Sequence, residues 1–131
     1  MNNQNISKKI LYWYDKNKRI LPWRKKVSKN QKEYFTLVSE FMLQQTQVKT
    51  VIPYFNNFIS KIPNLNTLSK VNDSKLMKCW EGLGYYSRAR NLKKTAKIII
   101  DKFEGNLPSN EEDLKSLPGI GEYTSRAIMA I

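Results

Sequence analysis

This 131-residue chain has no histidine and a single cysteine, Cys79. Histidine triads, histidine metal sites and imidazole acid–base work are thereby excluded, so proton transfer must fall to Asp, Glu, Lys or Tyr. One thiol makes no internal disulfide and cannot alone hold zinc or an iron–sulfur cluster. Among the carboxylates, Glu40 has a suggestive setting. At about 100° per residue it shares a helix edge with Leu37, Leu43 and Gln44 in "SEFMLQQT". A carboxyl beside leucines is partly desolvated, which raises its pKa and keeps it protonated as a general acid. Spacing alone favours a plainer reading, a solvated glutamate on the outer face of that helix.

A second arrangement suits anions. "LPGIGEYTSRA", Leu117 to Ala127, sets Gly119 and Gly121 ahead of a helix expected to start near Glu122. Glycine permits positive φ and leaves backbone amides uncovered. The first N–H groups of a helix lack partners within it, and with the helix dipole they favour an anion such as a nucleic-acid phosphate. That contact carries no sequence information. The alternative is a plain helical corner closed by glycines. The chain's charge weighs toward the anion: 23 Lys and Arg against 11 Asp and Glu give +12. Such an excess attracts polyanions, nucleic acid first, although a lysine-rich compositional bias contributes to it.

The elements that must position these residues are helical almost throughout. Ile6, Ile10, Leu11 and Tyr14 fit one helix face, and the proline- and charge-rich segment from Lys16 to Gln31 reads as a loop. A helix is predicted from about Glu33 to Gln45. Val48, Val51, Ile52, Phe55 and Ile59 trace another, in which Pro53 implies a start near Thr50 or a kink. A short helix is expected around Thr67 to Val71. Asn72 then caps "DSKLMKCWEG", with Gly82 closing it. Ala89, Leu92, Ala96, Ile99 and Phe103 give the clearest helix, ended by Gly105. Ser109 to Glu112 has capping-box spacing and opens a helix to about Leu117. Thr124, Ala127, Ile128 and Ile131 begin a last apolar stripe. No run alternates with period two. The expected fold is all-α, six or seven helices in one domain over residues 1–131, with a helical hairpin at about 110–131. No apolar run is long enough to span a bilayer, and the N-terminus lacks signal-peptide features, so a cytosolic protein is expected.

"LPGIG" is similar to the helix-hairpin-helix motif of DNA repair proteins. "LPWR" (Leu21 to Arg24), "SEFMLQQTQVKTVIPYF" (Ser39 to Phe55), "WEGLGYYSRARNL" (Trp80 to Leu92) and "LPGIGEYTSRA", in this order, are more specific. Together they resemble the N-terminal part of the MutY-type adenine DNA glycosylases, helix-hairpin-helix enzymes of base excision repair, from about Leu11 to the end. The loop "KKVSKNQKEY" departs from the family in its length and in lacking Asp-Pro-Tyr. The resemblance implies flipping of adenine out of the duplex and hydrolysis of its N-glycosidic bond when it is mispaired with 8-oxoguanine or guanine. It implies that Glu40 is the general acid. Tyr123 joins it in the catalytic set, standing where endonuclease III-like enzymes carry a Schiff-base lysine.

By the same carry-over, Arg19, Trp23, Arg24 and Leu43 belong to the adenine pocket, Gln45 wedges into the base stack, and Tyr85 or its neighbour Tyr86 intercalates. Gln44, Arg88, Gly119, Ile120, Gly121 and Thr124 complete the expected DNA-binding set. Plainer roles stand beside these: Trp23 as a staple of its loop, Leu43 and Tyr85 as ordinary packing, and Arg19 and Arg24 as solvated charge. Arg88, Arg90, Lys93 and Lys94 suit phosphate or the wet side of their helix. Full-length family members carry a 4Fe–4S cluster whose cysteines are absent from this chain, as is the aspartate that stabilises the sugar cation. The chain is therefore expected to be the first part of a longer frame and inactive alone. Its expected partner is duplex DNA with A:8-oxoguanine or A:G mispairs, bound by a monomer, with no membrane role and with nucleoid association when on DNA. The alternatives are an endonuclease III-like glycosylase/lyase and a non-catalytic DNA-binding remnant.

Overall fold

A computed structural model describes residues 21–24 and 26–130; the face from Ile6 to Tyr14 and Arg19 lie outside the described residues. Within them a 3₁₀ turn, Pro22–Arg24, precedes seven α-helices, and there is no strand. The helices are α1 (Lys29–Leu43), α2 (Val48–Lys61), α3 (Leu65–Lys70), α4 (Asp73–Trp80), α5 (Tyr86–Lys102), α6 (Glu111–Lys115) and α7 (Glu122–Met129).

Capping side chains set most of the boundaries. α1 begins four residues before the expected Glu33 because the Ser28 hydroxyl accepts from the Gln31 amide. Asn64 and Asn72 cap α3 and α4 by accepting from Thr67 N and Lys75 N, both at 2.8 Å. α5 closes with the Gly105 amide donating back to Ile99 O. Ser109 is not the cap of α6. Asn110 takes that place, its Oδ1 accepting from Asp113 N at 2.8 Å while its Nδ2 donates to Asp113 Oδ2 at 2.9 Å. α2 starts at Val48 and runs through Pro53. The proline removes an N–H that would have paired with the carbonyl of Lys49, which is exposed and open to water.

α1 lies at the centre, packed against the 3₁₀ turn, α2, α5 and α7, while α5 also covers α3 and α4. Leu37, Phe41, Met42, Phe58 and Trp80 are fully buried. Each contributes roughly 1.5–3 kcal/mol by leaving water. Phe55 sits between the edges of Trp23 and Phe35, with ring centroids 5.3 and 5.5 Å away. The Tyr34 hydroxyl donates to Ile62 O at 2.5 Å, tying α1 to the end of α2. No described helix is long and apolar enough to cross a membrane.

Candidate active site

The hairpin is built from α6, the turn Ser116–Gly121 and α7. Leu114, Leu117, Ile120 and Ile128 bury its apolar side. Gly119 has φ +81°, and a Cβ there would stand 2.8 Å from Phe41 Cε1 and 3.1 Å from Asn91 Cβ. Both the backbone angle and the space thus require glycine. The turn is fastened on two sides. Thr95 Oγ1 of α5 donates to Pro118 O at 2.8 Å, and Gln44 Nε2 at the end of α1 donates to Gly119 O (3.1 Å) and Thr124 Oγ1 (3.3 Å). Gly121 differs from Gly119: its φ is −92°, and open space surrounds the position of a Cβ. No side chain caps the start of α7, so its first amides are available to an external anion. The Glu122 carboxylate beside them is offset by Arg126 at 2.7 Å. Ile120 and Thr124 are buried, and the half-buried Gln44 is engaged by Gly119 O and Thr124 Oγ1. These three side chains shape the turn, and the surface it offers to a ligand is backbone.

Glu40 is half-buried on α1, one turn from fully buried Leu37 and next to half-buried Leu43 on the same edge. Burial pushes its carboxyl above the ordinary carboxylate range, against the opposing pull of the Arg24 charge. Arg24 is exposed at the end of the 3₁₀ turn, within electrostatic reach of that carboxyl. Trp23 differs from the expected pocket wall. It is buried with its ring against Phe55, so it anchors the loop to the core. Tyr123 is 81% exposed on α7, a helix packed directly on α1. The acid and the tyrosine thus stand on two adjoining helices joined by the Gln44–Thr124 bond.

Arg88 does not face phosphate. It is 7% exposed and shares the buried face of α5 with Leu92, Thr95, Ala96 and Ile99. Its Nη1 donates to the carbonyls of Phe41 and Met42 in the last turn of α1, where carbonyls lack helical partners, and to that of Gln44 just beyond it. Its Nη2 reaches Thr46 Oγ1, Leu83 O and Gly84 O at 3.3–3.4 Å. The guanidinium carbon lies 5.6 Å from the Trp80 ring centroid and 5.5 Å from that of Tyr85. Sequence reasoning missed this role. Its only trace was that Arg88 falls in step with Leu92 and Ile99 on the apolar stripe. Arg90 and Lys94 are exposed, and Lys93 pairs with Asp73 at 3.3 Å. Gln45 and Tyr85 are exposed, and both have left-handed backbones, φ 63° and 51°. Tyr86 is also exposed.

The residues present do not fit a 4Fe–4S cluster. Cys79 is the one thiol of the chain and is buried on α4, where burial pushes its pKa up. No group of three potential ligands occurs among the described residues.

The family model of the HhH-GPD superfamily of base excision DNA repair proteins matches residues 38–130. The chain belongs to that superfamily. The matched span includes Glu40, the Arg88 cluster and the hairpin. This HhH-GPD chain is similar to the adenine DNA glycosylase of Buchnera aphidicola subsp. Baizongia pistaciae, at 49% identity over 122 residues, covering 92% of the chain and 34% of that protein. It is similar to those of Rattus norvegicus and Homo sapiens at 43% and 42% identity, covering 93% of the chain and 25% and 23% of those proteins. It thus spans about a third or less of the length of these relatives. Among solved structures it superposes on a thermostable thymine-DNA glycosylase with TM-score 0.76 at 27% identity, over 97% of the chain and 57% of that protein. It shares the fold of endonuclease III in a non-covalent DNA complex, with TM-score 0.72 at 23% identity, over 94% of the chain and 58% of that protein.

Proposed function

We propose that this HhH-GPD chain is the acid-bearing part of an adenine DNA glycosylase, which excises adenine from A:8-oxoguanine and A:G mispairs in duplex DNA. The observation that carries the reading is Glu40: a half-buried carboxyl with a raised pKa, in a chain 42–49% identical to adenine DNA glycosylases. In the proposed reaction the protonated Glu40 gives its proton to a ring nitrogen of the flipped adenine. The glycosidic bond breaks with its electron pair leaving on the base, and water adds to the sugar carbon, its surplus proton returning to the Glu40 carboxylate. A carboxyl whose pKa is raised by burial favours the protonated form that this step needs. Leu43 and Arg24 line the approach to Glu40. Gln45 and Tyr85, with Tyr86 beside it, enter the stack beside the emptied position. The uncapped start of α7 takes a backbone phosphate at Gly121.

Tyr123 favours hydrolysis over lyase chemistry, because a phenol cannot form an imine with the sugar. The described helices are read as part of one glycosylase domain that acts on DNA as a monomer. A 4Fe–4S cluster, where the full-length protein holds one, takes its ligands from outside these 131 residues. The 131 residues alone are expected to leave the glycosidic bond intact.

The test is to incubate the full-length protein with a labelled A:8-oxoguanine duplex. Free adenine and a strand that breaks only after alkali are expected, with no borohydride-trapped adduct. Direct nicking with a trapped adduct would assign a glycosylase/lyase instead. Binding without base release would leave a DNA-binding module.

A further inference from the structure

We propose that Arg88 is a positioning residue: one buried guanidinium holds Gln45 and Tyr85 as a paired probe of the base stack. The inference rests on the glycosylase reading above. Only three non-glycine residues among those described have positive φ: Gln45, Tyr85 and Glu104. Two of the three flank this single side chain. Residues in that conformation are sterically disfavoured and persist only where their surroundings fix them. Arg88 grips both neighbours of Gln45, through Gln44 O and Thr46 Oγ1, and it grips Leu83 O and Gly84 O immediately before Tyr85. The Tyr85 ring lies over the guanidinium, yet the residue is 64% exposed.

Two loops far apart in the chain are therefore cross-linked through one planar group, and each loop presents an exposed side chain. The geometry requires a fork. Nη1 takes the carbonyls at the end of α1 and of Gln44 while Nη2 reaches Thr46 on one loop and Leu83 and Gly84 on the other, whereas a lysine ammonium is a single point that cannot hold all of these at once. The partners of Arg88 are carbonyls and a hydroxyl, which fix orientation without neutralising its charge. A purely structural role, completing the last carbonyls of α1, would need only the Nη1 bonds. The Nη2 bonds to Thr46, Leu83 and Gly84 are what the positioning role adds.

The test uses the full-length protein and a mispaired duplex with 2-aminopurine beside the target adenine, whose fluorescence rises when the stack opens. Arg88→Lys and the milder Thr46→Val are compared with wild type at a temperature where each remains folded by circular dichroism. Thr46→Val removes one Nη2 acceptor and leaves the α1 carbonyl bonds in place. Arg88→Lys is expected to bind the duplex but lose the fluorescence rise and slow base release on the order of 100-fold. Thr46→Val is expected to lower the rise and slow release about fivefold. Adding Tyr85→Ala to Arg88→Lys should cost little more, since both disable one probe. A wild-type fluorescence rise and rate in either variant, or fully additive losses in the double variant, overturns the positioning role while leaving the glycosylase reading intact. Absence of both rise and base release in the wild type overturns the glycosylase reading and the inference with it.

Discussion

Gly119→Ala tests the hairpin from two directions at once. Its backbone lies at φ +81°, a region that costs an L-residue about 1–2 kcal/mol. The added methyl would also stand 2.8 Å from Phe41 Cε1 and 3.1 Å from Asn91 Cβ. Phe41 is fully buried and Asn91 Cβ is fixed by the α5 backbone, so neither can swing aside. Overpacking of that kind costs about 1–3 kcal/mol. Together the two effects predict a loss of about 2–5 kcal/mol, read as a fall of about 1–3 M in the urea midpoint followed by circular dichroism. Gly121→Ala is the control. With φ −92° and open space around the added methyl, it should stay within about 0.5 kcal/mol of wild type. The same methyl stands where a phosphate would approach, so DNA affinity should fall about tenfold at constant salt. A Gly119→Ala midpoint equal to wild type, or a Gly121→Ala midpoint that falls as far, would refute the reasoning.

Trp23→Ala should cost about 3–5 kcal/mol because the ring is core, whereas Arg24→Ala should change stability by less than about 0.5 kcal/mol, both measured by urea unfolding. Glu40 gives a pH signature. Its folded pKa is raised, so its stabilising contribution is full below the ordinary carboxylate pKa of about 4.3 and is lost as pH rises through the folded value. Glu40→Gln should therefore stabilise by about 0.5–2 kcal/mol at pH 7, and the gain should vanish near pH 4 in paired thermal melts. DNA affinity should fall steeply with salt given the +12 charge, and each of Arg90→Ala and Lys94→Ala should reduce the log–log slope by about 0.9 where it contacts phosphate. An unchanged slope in both variants would move the phosphate track elsewhere.

The helices were legible wherever apolar spacing was dense. α5 and its Gly105 closure, and α4 with its Asn72 cap, stand as the pattern implies. Boundaries were less legible where several side chains compete to cap. Ser28 starts α1 ahead of the expected point and Asn110 displaces Ser109, because backbone direction decides which oxygen meets a free amide. The desolvation of Glu40 could be read from Leu37 and Leu43 on its own helix edge. The burial of Arg88 could not. Its acceptors at Phe41 to Thr46 lie more than 40 residues away, and they become acceptors only because α1 ends beside α5. Trp23 was ambiguous for the same reason: the ring that receives it, Phe55, belongs to a different helix.

The most direct test of the central claim is single-turnover adenine release from an A:8-oxoguanine duplex by the full-length protein and its Glu40→Gln variant. A general-acid role predicts that the variant binds the duplex within about threefold of wild type, while release falls at least about 100-fold. Retained release by Glu40→Gln would contradict that role.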